Sequence, residues 1–113
     1  MSVNTSIVYL YGFSTMFESK ITNLVKIIEH QVKENMEIRL VFIHDGVIGT
    51  SQKSKVTQIM QKLLEFPITA YSMIPDLKAR GIDPKSLPKQ IQGITYEDLV
   101  DLLADTSKIV SWL

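Results

Sequence analysis

Leu40-Val41-Phe42-Ile43-His44-Asp45-Gly46-Val47-Ile48-Gly49-Thr50 is the stretch from which the fold can be read. It opens as an unbroken run of β-branched, aliphatic and aromatic residues, the pattern of a strand buried on both faces. Asp45-Gly46 then breaks the run with a strong turn signal, and Gly49 leads into a polar loop of Ser, Thr and Gln. A strand of that kind belongs to a parallel sheet packed between helices. In such sheets ligands and chemistry collect beyond the strand ends, which puts His44 and Asp45 at the mouth of any site.

Working outward, the flanking segments alternate strand and helix. Ser6 to Tyr11 is a first strand, broken by Gly12. Thr15 with Glu18 makes a capping-box pattern for a helix whose apolar positions Phe17, Ile21, Leu24, Val25, Ile28 and Val32 keep the 3.6-residue period. That helix ends near Asn35, and the central strand runs from Glu37 to His44. After a loop over 45–54, a second helix carries Val56, Ile59, Met60, Leu63 and Leu64, and Pro67 stops it. Ile68 to Tyr71 forms a third strand. Pro75 to Gly81 is a helical turn with proline at its start and glycine past its end, and Ile82 to Lys89 is an ordered loop. Ile91 to Ile94 is a brief strand. Thr95 caps a last helix with Tyr96, Leu99, Val100 and Leu103 expected to face inward, and Lys108 to Leu113 is a final strand. The alternation predicts one α/β domain over residues 1–113, a mostly parallel sheet of about five strands in a three-layer α/β/α sandwich.

Composition narrows the functions open to such a domain. Twelve basic and twelve acidic residues leave no net charge, and they are scattered, unlike the basic footprint of a nucleic-acid binder. The absence of cysteine removes disulfides, thiolate metal sites and any thiol nucleophile from these residues. Met1-Ser2-Val3-Asn4 lacks the features of a signal peptide, and no apolar run approaches the ~20 residues of a membrane span. The expectation is a soluble cytoplasmic protein without metal or cofactor.

The candidate chemistry is sparse. His44-Asp45 is the only adjacent pair suited to acid–base work, although Asp45 also serves as the residue that shapes the turn before Gly46. His30 lies in mid-helix with no evident partner, and two histidines without a third ligand do not make a metal site. Gly12-Phe13-Ser14-Thr15 joins a strand to a helix start, a place where free amides bind anions; it lacks the glycine spacing of a phosphate loop, and capping by Thr15 accounts for the same residues. Asp76, Lys78 and Arg80 share the short helical turn and read as a solvated or interface face. Trp112, on the end strand, is either core packing or a subunit anchor, since tryptophan is enriched at interface hot spots.

Taken together, several of these segments resemble the DsrH/TusB family of sulfur-relay subunits. Asp45-Gly46-Val47 after a buried strand, Tyr71 followed by Asp76-Leu77-Lys78-Ala79-Arg80-Gly81, Tyr96 to Val100, and the closing Ser111-Trp112-Leu113 carry the likeness. The resemblance implies a DsrE/F/H-like fold and assembly with TusC/DsrF-like and TusD/DsrE-like paralogues as a heterohexamer, or as a homo-oligomer when isolated. It further implies a non-catalytic role in persulfide transfer, feeding 2-thiolation of the tRNA wobble uridine or, in another branch, dissimilatory sulfur oxidation, with no direct hold on nucleic acid. Some members carry a cysteine in the first helix; here Ser19, Thr22 and Asn23 stand in that region. On this view His44, Asp45, Gly46, Asp76, Arg80 and Trp112 form a strand-end or interface site. The alternative is a small enzyme or ligand-binding domain using His44 and Asp45.

Overall fold

The computed structural model describes residues 6–16, 18–51 and 58–113. Five strands, β1 (Ser6–Tyr11), β2 (Glu37–Phe42), β3 (Thr69–Met73), β4 (Ile91–Ile94) and β5 (Lys108–Trp112), form one sheet in the order β4-β3-β2-β1-β5. Every neighbouring pair is parallel. Among the described residues four α-helices connect them: α1 (Glu18–Lys33), α2 (Gln58–Glu65), α3 (Ile74–Ala79) and α4 (Tyr96–Ala104). The expected α/β class and strand number hold.

β2 lies at the centre because its residues suit no other place: Leu40, Val41 and Phe42 are each fully buried. It ends at Phe42, two residues earlier than its apolar run suggests, since His44–Val47 winds into a 3-10 turn. β3 is shifted the other way and reaches Met73.

The connections β1 to β2, β2 to β3 and β3 to β4 step across the sheet in one direction, while β4 to β5 returns past three strands. Parallel crossovers are right-handed, so the return helix α4 falls on the face opposite α1. Side chains agree. The Tyr9 hydroxyl donates to Gln31 of α1 (2.6 Å), and the residue that pairs with Val8 on the other face, Arg39, reaches 4.0 Å from Asp105 after α4. One layer is thus built by α1 and α2 over Ile7, Ile38 and Leu40, with Ile21, Leu24, Val25, Ile28, Met60 and Leu63 buried beneath. The Val56 expected in α2 lies outside the described residues, as do Phe17 and 52–55.

The opposite layer differs from expectation. In α4 only Leu99 is buried, with Leu102 and Leu103 partly so; Tyr96 and Val100, read as inward, are 51% and 64% exposed. A stripe at helical spacing fixes which residues share a side, and packing alone decides how wide the buried side is. His30, for which the sequence offered no partner, sits 3.5 Å from Glu34 one turn on, both exposed.

Candidate functional site

The strand-end site is built where β2 stops. His44 takes a left-handed backbone conformation (φ 55°), which a histidine tolerates better than most residues but at some cost. Its N–H donates to the Asp76 carboxylate (2.9 Å). Asp76 reaches it from α3, which starts immediately after β3 with Pro75 in its first turn. The same carboxylate is met at its other oxygen by the Tyr96 hydroxyl from the start of α4, at 3.5 Å. Asp76 is buried, whereas His44 and Asp45 are exposed.

Asp45 is held from the side. The Arg80 guanidinium donates to its Oδ1 through Nη2 (2.9 Å) and Nε (3.2 Å), and a third Arg80 nitrogen bonds the Asp76 carbonyl (3.2 Å). Arg80 therefore bridges the turn after β2 to the end of α3. Gly46 is the point of closest approach: a Cβ there would lie 2.0 Å from the Tyr11 carbonyl oxygen. Steric room, not backbone freedom, requires glycine at this position. The left-handed glycines are Gly49 (φ 96°) and Gly81 (φ 70°), the latter just past α3 where the sequence pattern placed it.

His44, Asp45, Gly46, Asp76 and Arg80 thus gather into one network, and Tyr96, which the sequence assigned to the core, joins them. Trp112 sits on the far side of β1. Its ring centroid is 6.3 Å from that of Tyr11, which also meets Phe13 (5.9 Å) and Phe42 (6.2 Å) edge-on. The Tyr11 hydroxyl is buried without a partner among the described residues, and burial pushes its phenol up to about 12. This aromatic cluster went unread because Tyr11, Phe42 and Trp112 belong to separate strands that only the parallel register sets side by side.

In the segment before α1 the N–H groups of Gly12, Thr15 and Met16 are already engaged, by the Trp112 carbonyl, the Ile48 carbonyl and the Ser14 hydroxyl. The Thr15 N–H and hydroxyl both donate to the Ile48 carbonyl (3.2 and 2.9 Å), so Thr15 ties two loops together. Among the described residues no group of three His, Cys, Asp or Glu is arranged to hold a metal. Among the same residues no helix is long and apolar enough to cross a membrane. A cavity of about 280 Å3 between α2, Thr50 and Ile91 lies away from the network. What the strand-end residues offer is an exposed, rigidly braced turn with opposite charges paired, a geometry for contact more than for proton transfer.

Comparison with known proteins supplies the context. A family model described as DsrH like protein matches residues 16–109. No curated protein matches. Among solved structures, the YchN protein from E. coli is similar with a TM-score of 0.73 and 15% identity, covering 97% of this chain and 100% of its own. A protein of unknown function from Methanobacterium thermoautotrophicum, MTH1491, is similar with a TM-score of 0.76 and 14% identity, covering 95% and 99%. At such identities these two likenesses establish the fold.

Proposed function

The chain belongs to the DsrH-like family of sulfur-relay subunits, and from that premise we propose that it is a non-carrier subunit whose partners hold the sulfur. The observation that carries this reading is chemical. Sulfur relay passes the terminal sulfur of a persulfide to an acceptor thiolate, and these 113 residues contain no cysteine. A hydroxyl such as Ser19 or Thr22 is far less acidic and less nucleophilic than a thiol, so it cannot take the sulfur over. The donor and acceptor thiols therefore sit on DsrE-like and DsrF-like paralogues, and the DsrH-like chain completes the assembly around them in the cytoplasm, with 2-thiolation of the wobble uridine as the outlet. His44, Asp45, Gly46, Asp76 and Arg80 supply a braced contact turn in this reading, and Trp112 a subunit anchor.

The test is sulfur loading. Incubated with a persulfide donor, the isolated chain is expected to gain no labile sulfur by intact mass, while a cysteine-bearing paralogue in the same mixture gains it. A reducible sulfur adduct on this chain would refute the non-carrier role. Deleting the gene is expected to lower 2-thiouridine in tRNA; unchanged thiolation with impaired sulfur oxidation would move the chain to the other branch of the family.

A further inference from the structure

The α4 layer leaves part of the sheet bare, and the bare part is of two kinds. Strands spaced ~4.8 Å apart make a five-stranded sheet about 20 Å across, whereas one helix is about 10–12 Å wide. Among the described residues a single helix lies on this face and covers about half of it, although parallel sheets are ordinarily buried on both faces. Toward β3 and β4 the uncovered strip is polar: Arg39, Tyr71 and Gln92 face Asp98, Asp101 and Asp105 across a groove of about 370 Å3. Water suits that strip.

Toward β5 the strip is apolar. Ile109 is 48% exposed and Leu10 half-buried on this face, whose register pairs Val8 with Ile109. Tyr96, Val100 and Leu103 follow at helical spacing on the flank of α4 away from the polar groove, two of them more than half exposed. We propose that this strip, running from Ile109 and Leu10 onto the Tyr96–Val100 flank of α4, docks a different protein chain whose apolar centre is bordered by lysine or arginine.

Charge selects that occupant. Glu97, exposed on the outer crest of α4 beside Val100, borders this strip, and exposed Asp101 follows one turn on, between the crest and the polar groove. A second copy paired about a twofold axis on this strip would press those carboxylates against its partner's Ile109 and Leu10, or against the same carboxylates of the other α4. Either arrangement buries acids without a cation to answer them, which is costly. A basic border answers them directly. The proposal rests on the hetero-oligomeric reading above and names the surface through which it is achieved.

The test uses the full chain co-expressed with the DsrE-type and DsrF-type paralogues of the same genome. Wild type is expected to co-elute with them, more weakly as salt rises. Val100→Asp is expected to weaken assembly at least tenfold, with an unchanged circular dichroism spectrum and melting temperature. Glu97→Lys with Asp101→Lys is expected to weaken it at low salt and to flatten the salt dependence. Variants that assemble like wild type would overturn the surface while leaving the subunit reading intact, and so would an isolated chain that dimerises until Val100→Asp is introduced. Failure of wild type itself to assemble with either paralogue would remove the subunit reading and this surface together.

Discussion

Gly46 and His44, two positions apart in one turn, make opposite demands on their side chains. Gly46 faces the Tyr11 carbonyl so closely that an added Cβ would fall 2.0 Å from its oxygen. That oxygen also accepts the Ile43 N–H (3.0 Å), so the backbone there is not free to retreat. Gly46→Ala is expected to cost roughly 3 kcal/mol, the upper part of the range for overpacked sites. His44 has space but an unfavourable φ of 55°. A left-handed conformation costs a non-glycine residue ~1–2 kcal/mol, and the greater freedom of an unfolded glycine offsets part of the relief. His44→Gly is therefore expected to be neutral or to stabilise by up to ~1 kcal/mol. Urea unfolding of both variants checks the contrast; a stable Gly46→Ala protein would mean that the strand ends are more loosely packed than described. Asp45-Gly46 was legible as a turn because such dipeptides signal one locally. The close approach was not, because it involves a strand 35 residues away.

At the scale of the element, β5 is an edge strand and its tryptophan has two roles to divide. Trp112 is half-buried, stacks near Tyr11 and accepts the Gly12 N–H at its carbonyl (2.9 Å). The backbone bond survives truncation of the side chain, and part of the ring is already in water. Trp112→Ala is thus expected to cost less than the ~3–5 kcal/mol of a fully buried tryptophan. As a subunit anchor the ring would add ~2 kcal/mol or more to assembly. The expected result is a folded variant by circular dichroism that fails to co-elute with its paralogues. Loss of the cooperative melt, with the remaining folded protein assembling normally, would place the residue wholly in the core. The last helix shows the same division between local and distant information. Its start was readable, since Thr95 accepts from the Asp98 N–H (3.2 Å) and Asp98 from the Thr95 N–H (3.0 Å) in a reciprocal cap. Its buried side was not, because nothing in its nine residues records which part of the sheet it packs on.

For the whole molecule the aromatic cluster sets a limit at high pH. Burial raises the Tyr11 phenol from its ordinary value of 10.0 to about 12, through desolvation of the ionised form. Above pH 10 the unfolded chain releases this proton while the folded chain still holds it. The unfolded state then binds fewer protons, so stability falls as pH rises from 10 through about 12. Tyr11→Phe is expected to remove this contribution to the alkaline slope. It is also expected to leave stability at neutral pH equal or higher, because the hydroxyl is buried with no partner among the described residues. Thermal melts of both proteins at pH 7 and pH 11 check it; an equal alkaline loss in the two would assign the slope to other groups.

By itself the sequence determined the order and type of the elements, the parallel α/β class and the position of the strand-end turn. All of these follow from short-range physics: hydrophobic period, turn chemistry and capping act over a few residues. Only the tertiary structure decided that β5 returns beside β1, that Arg80 closes on Asp45 and Asp76 on His44, and that α4 shows Tyr96 and Val100 to solvent. Those outcomes depend on which segments meet across 32 residues or more. Packing makes that choice for the chain as a whole, and no local stretch contains it.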